Sequence, residues 1–317
     1  MINLLRLVRY KNLLIVILTQ YLMRYCIIKP MLEVNNMNLQ FSNFNFLLLV
    51  IATVLITAGG YVINDYFDTK TDRVNRPDNI LIDTKINRRT AILLHVILNV
   101  LGISLGIYLS FIIGKIYLGL LFILISGILW FYSTTYKRQF LIGNIVVATL
   151  TALVPILVVV YEIPLLNVAY REILISYRID LSYIFYWVCV FGFFAFLTTL
   201  IREIIKDIED FEGDCAFGRR TVPIVAGVRN SKIVIFVIGL FTIISLLYIL
   251  LYYLGDTLSI IYFTVFLIFP LIILLYKLFR AEKKSDYHLL SNLTKLIMLS
   301  GILYSVIANF IIINTFM

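Results

Sequence analysis

The chain of 317 residues is 62% hydrophobic and only 14% charged, whereas the surface of a soluble domain of this size demands about a quarter charged residues. That excludes a soluble globular protein and leaves a polytopic membrane protein. The net charge of +9 is spread over several short hydrophilic segments, so it marks membrane orientation and implies no nucleic-acid partner.

Apolar stretches of the length that crosses a bilayer as a helix fall at about nine places. They lie at approximately 12–30, 46–66, 91–112, 115–133, 141–161, 183–205, 232–254, 258–279 and 293–316. The expectation is an all-α helical bundle of about nine transmembrane helices forming one domain over residues 1–317, because only self-satisfied backbone survives in lipid. Arg6, Arg9 and Lys11 precede the first span, which lacks a small-residue cleavage site, so no cleavable signal is expected. The second span ends in Asn64-Asp65-Tyr66-Phe67-Asp68-Thr69-Lys70-Thr71-Asp72-Arg73-Val74-Asn75-Arg76-Pro77. Here carboxylates and bases share one short segment, and Pro77 stops the helix. Between the third and fourth spans only Gly114 and Lys115 intervene, which predicts a tight hairpin. Lys137 and Arg138 follow the fourth span. The connection 162–182, with Glu162, Arg171, Glu172, Arg178 and Asp180, reads as a solvated loop or interfacial helix. The sixth span runs into Arg202-Glu203-Ile204-Ile205-Lys206-Asp207-Ile208-Glu209-Asp210-Phe211-Glu212-Gly213-Asp214, followed by Arg219 and Arg220. The loops are expected at 67–90 and 206–231. Cys26, Cys189 and Cys215 are isolated and support neither a zinc site nor a disulfide framework.

Cytoplasmic loops carry the excess of Lys and Arg. Three bases precede the first span, six lie between the second and third, two after the fourth, six between the sixth and seventh, and five between the eighth and ninth. The other side holds only Arg24, Lys29, Lys115, Arg171 and Arg178. A multi-pass protein, with the plasma membrane as host, is expected to keep its N-terminus and both acidic segments cytoplasmic and its C-terminus outside.

Asp65, Asp68 and Asp72 recur in spacing as Asp207, Asp210 and Asp214. Residues at i, i+3 and i+7 share one helical face. Two such faces, opposed, make a cage for a hard divalent cation, since crowded carboxylates repel one another until a cation joins them. Mg²⁺ completes its shell with substrate phosphates, so an intramembrane enzyme that grips a diphosphate is the first expectation. An ion or organic-anion transporter is the rival from another class, although transporter sites lie near the midplane rather than at span ends. The equal spacing of the triplets also suits an internal repeat.

The patterns Asn-Asp-x-x-Asp-x-x-x-Asp and Asp-x-x-Asp-x-x-Gly-Asp, both complete here, resemble the two motifs of the UbiA superfamily of intramembrane prenyltransferases. Asn64 to Pro77 and Arg202 to Pro223 look most like the members that prenylate geranylgeranylglyceryl phosphate. One departure is Asp78-Asn79-Ile80, where many members carry a second Arg-Pro and a Gly-bearing turn. The resemblance implies a polyprenyl diphosphate donor, a lipid acceptor such as geranylgeranylglyceryl phosphate, and Mg²⁺ as cofactor; an aromatic quinone precursor is the alternative acceptor. It implies metal ligation by Asn64 and Asp68 on one side and Asp210 and Asp214 on the other, supported by Asp65, Asp72 and Asp207. Asp68, Asp72, Asp207 and Asp210 would be the catalytic carboxylates. Arg76, Lys137, Arg138, Arg202 and Lys206 would bind diphosphate, and Arg9 and Asn12 would face the acceptor.

The orientation is testable by labelling. After replacement of the native cysteines, a cysteine at Ile80 or Phe217 should react only from the cytoplasmic side and one at Glu172 only from outside. Reversed accessibility would overturn the assignment.

Overall fold

The structure, a computed structural model, describes residues 2–77 and 80–316. Among these residues the ordered elements are helical, apart from a lone bridge between Ile82 and Ile86. Nine helices in the described residues are long and apolar enough to cross a membrane. In order, the first to fifth spans are Tyr10–Glu33, Asn43–Asn75, Arg88–Ile113, Ile116–Arg138 and Ile142–Ala169, and the sixth to ninth are Ser182–Glu209, Val228–Leu254, Thr257–Arg280 and Lys284–Thr315. Phe111, Leu124 and Leu251 point outward and are exposed, an arrangement that lipid accommodates and water penalises. The chain is thus a multi-pass membrane protein.

Several helices outrun their apolar stretches. The second continues to Asn75 and the ninth begins at Lys284, because the backbone ladder persists after the side chains turn polar. The loops expected at 67–90 and 206–231 are therefore shorter, and the first acidic triplet rides on regular helix. The hairpin between the third and fourth spans is as expected: Gly114, at φ 71°, ends one helix and Lys115 begins the next. Pro30 and Pro270 each follow a π-helical turn, Met23–Ile28 and Phe263–Ile268, where a widened ladder absorbs the N–H that proline lacks.

The connection 162–182 departs from expectation. The fifth span runs to Ala169, followed by the exposed short helix Arg171–Tyr177. Glu162 is consequently buried, and it pairs with buried Arg24 at 3.1 Å. The pair serves the non-helical segment that links the first two spans. Glu162 accepts the backbone N–H groups of Gln40 and Phe41, and Arg24 donates to the Phe41 carbonyl and, at 3.3 Å, to Asn43. Irregular backbone at this depth requires such partners, since neither lipid nor packed side chains would satisfy it. By type alone Glu162 reads as part of a solvated loop and Arg24 as one of the few bases on the outer side; their mutual neutralisation is what buries them.

Glu162→Ala leaves one buried cation and two buried N–H groups unpaired. The expected cost is about 3–5 kcal/mol, measured as a lowered unfolding midpoint of the detergent-solubilised protein. A change within about 0.5 kcal/mol, the range of surface substitutions, would contradict the role.

Candidate active site

A cavity of about 280 Å³ lies inside the bundle, lined by the first, second, fourth, fifth, sixth and ninth spans. Arg9, Asn12, Asn64, Tyr132, Arg202, Glu203, Lys206 and Lys295 form its polar end, while Ile15, Ile56, Phe122, Leu150 and Leu157 are among its apolar walls. An adjoining cavity of about 130 Å³, almost wholly apolar, shares Ile15, Val16, Thr151, Val154 and Met298 with the first. Together they present a charged mouth and a long oily interior. Of the motif side chains only Asn64 is among the lining residues; the aspartates stand just beyond the polar end.

The two motifs meet through cations. Asp68 receives Lys137 at 2.6 Å and also Arg219, whose other terminal nitrogen donates to Asp214 at 3.0 Å. Arg219 also donates to Thr71. Arg76 crosses in the opposite sense, from the first motif to Asp210 at 2.9 Å, with Glu209 at 3.6 Å. Local chain geometry makes this possible. Arg76 closes the second span through its N–H to the Asp72 carbonyl, and Pro77 follows. The Asn75 side chain accepts the Gly213 N–H at 3.0 Å and donates to the Asp210 carbonyl at 3.2 Å. A Cβ at position 213 would fall 2.5 Å from Asn75, so only glycine permits the contact. Gly218, at φ 64°, turns the chain that delivers Arg219.

The second triplet is not carried by one continuous helix. The sixth span stops at Glu209, Asp210 takes a non-helical ψ of 12°, and Asp214 sits on the short helix Phe211–Ala216. The i→i−4 hydrogen bonds into Asp210 and Asp214 persist across this break, which keeps the spacing while bending the face.

Each remaining predicted residue has a definite place. Arg9, in the left-handed region at φ 52°, donates to Asp65 at 2.7 Å and stacks over Tyr61; Asn12 donates to the Tyr61 hydroxyl. Lys137 also reaches Asn64, at 3.2 Å. Asp207 accepts from Asn144 at 2.7 Å. The Asp72 carboxylate makes no hydrogen bond or ion pair among the described residues. Arg202 and Lys206 both pair with Glu203, at 2.8 and 3.0 Å. Arg138 departs from expectation: its side chain is exposed, and only its backbone is engaged, its N–H donating to the Thr135 carbonyl and its carbonyl accepting the Arg220 N–H. Asp78 and Asn79 lie outside the described residues. From sequence, Arg219 is only one of the bases flanking the second acidic cluster, and Asn144, Glu203 and Lys295 carry no site role. The signal for Lys295 was its place in an apolar span, which marks an intramembrane charge as functional by default; it had been counted with the loop bases.

No three carboxylates, cysteines or histidines among the described residues stand together as a closed metal cage. The donor set nevertheless fits a hard divalent cation. Asp68 and Asp214, one from each motif, already share a single positive group. Burial pushes the Asp214 carboxyl up to about 6, aided by Asp210 and Asp68, even with Arg219 pulling it down. Burial likewise raises Asp210 against the pull of Arg76. Such carboxylates are short of positive charge, and oxygen donors in that condition are what Mg²⁺ takes.

Comparison with known proteins bears on the same residues. The UbiA prenyltransferase family matches residues 36–300. A digeranylgeranylglyceryl phosphate synthase from Methanosphaera stadtmanae is 32% identical over 260 residues, spanning 81% of this chain and 85% of the relative. A solved structure of digeranylgeranylglyceryl phosphate synthase in membranes superposes with a TM-score of 0.65 at 23% identity, over 97% of both chains. A UbiA homolog from Archaeoglobus fulgidus bound to GPP and Mg²⁺ gives a TM-score of 0.58 at 15% identity, over 96% of this chain and 99% of that one. At such identities the two structures speak to the fold, which is the same helical bundle.

Proposed function

We propose, from the premise that the chain belongs to the UbiA prenyltransferase family, that it transfers a geranylgeranyl group from its diphosphate to geranylgeranylglyceryl phosphate. The observation that carries this reading is the joining of the two acidic motifs, through Arg219 and Arg76, beside the polar end of a long apolar cavity. The name of the Methanosphaera stadtmanae relative supports the acceptor, and the GPP and Mg²⁺ bound by the Archaeoglobus fulgidus homolog support the donor class and metal.

Asn64 and Asp68 would hold one Mg²⁺ and Asp210 and Asp214 the other, with Asp65, Asp72 and Asp207 in support. Bound Mg²⁺ neutralises charge on the departing diphosphate. Arg76, Lys137 and Arg219 stand on those same carboxylates and turn their donors to phosphate oxygens, stabilising the charge that develops as the allylic C–O bond breaks. The apolar walls take the isoprenoid tail and exclude water from the allylic cation. The acceptor's hydroxyl oxygen forms the new C–O bond and gives its proton to a motif carboxylate, for which Asp72 is our candidate. Residues 1–317 act as one domain. The reaction takes place at the cytoplasmic face of the plasma membrane, with the C-terminus outside. The bias of Lys and Arg supports that orientation, and it survives when the cavity-lining Arg202, Lys206 and Lys295 are set aside. The motif acids stand at helix ends, which weighs against a transport role.

Turnover of radiolabelled donor tests the reading. Asp68→Asn and Asp210→Asn should each cost about 100-fold, as the loss of a main electrostatic stabiliser does. The double variant should cost far less than the product of the two, because the residues act as a unit. Excess chelator should abolish turnover and Mg²⁺ restore it. Turnover near wild type by either folded single variant would contradict the assignment.

A further inference from the structure

We propose that Thr199, Arg202, Lys206 and Lys295 form a second anion site inside the cavity, separate from the donor's diphosphate site, that binds the phosphate head of the acceptor lipid. The inference rests on the proposed lipid-acceptor reaction and assigns that reaction its selectivity residue, Lys295.

Thr199, Arg202, Glu203 and Lys206 fall at i, i+3, i+4 and i+7 of the sixth span and so share one face. That face lines the cavity, and Lys295 lines it from the ninth span, which packs against the sixth. Three cations here meet a single carboxylate. Glu203 engages Arg202 and Lys206, while Lys295 makes no ion pair or hydrogen bond among the described residues. An excess of positive charge within a lipid-embedded bundle is costly unless an anion joins it.

Two further atoms point to a ligand. Arg202 Nε and Thr199 Oγ1 are buried and lack a hydrogen-bond partner, and both residues line the cavity. Threonine 199 is only 3% exposed. Buried donors of this kind are normally satisfied, and one tetrahedral oxyanion answers both while sitting against Lys206 and Lys295. A phosphomonoester carries about −1.5 to −2 charges at neutral pH, which matches the uncompensated charge of the cluster.

The donor's diphosphate has its own cations. Arg76, Lys137 and Arg219 stand on the motif carboxylates, and Arg9 is committed to Asp65. At about 1.5 Å of rise per residue, Arg202 stands about 7 Å and Thr199 about 12 Å farther along the sixth span than Asp207, toward the apolar interior. A prenylated glyceryl phosphate held there keeps its head beside, and not on, the motif acids.

Steady-state kinetics of the purified full-length protein with geranylgeranyl diphosphate and Mg²⁺ test this, using geranylgeranylglyceryl phosphate, its phosphate-free glycerol ether, and free glycerol phosphate as competitor. Lys295→Gln should raise the acceptor KM about tenfold to a hundredfold, the worth of one charge-assisted hydrogen bond, and leave the donor KM within about twofold, while Lys295→Arg should retain most of the affinity. The wild type should prefer the phosphorylated acceptor and Lys295→Gln should lose that preference. Glycerol phosphate should compete weakly and only against the acceptor, showing that the site is tuned to the lipid. An unchanged acceptor KM in Lys295→Gln, an equal rise in the donor KM, or equal wild-type kcat/KM for the two acceptors would overturn the inference while leaving prenyl transfer intact. Absence of wild-type product from the phosphorylated acceptor would overturn the proposed reaction, and this inference with it.

Discussion

Carboxylates crowded at the end of a lipid-embedded bundle must be matched by cations, and the rest of the molecule is arranged around that requirement. Asp68 and Asp214 share Arg219, Asp210 takes Arg76, and Asp68 also takes Lys137. The contacts of Asp68 with Lys137 and Arg219, and of Arg76 with Asp210, cross between segments far apart in sequence, so charge balance also fastens the second span, the fourth span and the loop after the sixth. Desolvation makes the pairs weak sources of net stability but costly to break singly. Their value lies in holding two acidic motifs in register while leaving charge demand that a metal and a diphosphate can meet.

The opposite end of the bundle uses the same physics for a different purpose. Arg24 and Glu162 neutralise one another and carry the backbone of the connection between the first and second spans. Between these two polar ends the interior is apolar and contains the adjoining cavities. The bundle therefore divides along its length into a structural polar anchor, an oily interior and a reactive polar mouth.

Much of this was legible in the sequence. Long apolar runs mark lipid-crossing helices because the requirement acts on each segment by itself, and the span positions and the hairpin at Gly114 follow from it. The acidic triplets were legible for the same reason: spacing along one chain determines a shared helical face. What was illegible depends on partners elsewhere. Glu162 looked solvated, and Arg24 looked like a simple outer-side base, because charge type does not disclose an ion pair 138 residues apart. Lys295 passed for an orientation charge, since a base near a span end has the same sequence signature whether it faces water or a cavity. Arg138, beside Lys137, looked equivalent to it, yet one points to Asp68 and the other outward. The break at Asp210 was hidden because the i→i−4 bonds continue through it.

The central claim is that the paired motifs activate a prenyl diphosphate for attack by a phosphate-bearing lipid. The most direct measurement is product identification after incubating purified protein with radiolabelled geranylgeranyl diphosphate, Mg²⁺ and a mixture of geranylgeranylglyceryl phosphate, dihydroxynaphthoate and hydroxybenzoate. The account predicts label in digeranylgeranylglyceryl phosphate alone. Label in a prenylated aromatic product, or no transfer to any acceptor, would contradict it.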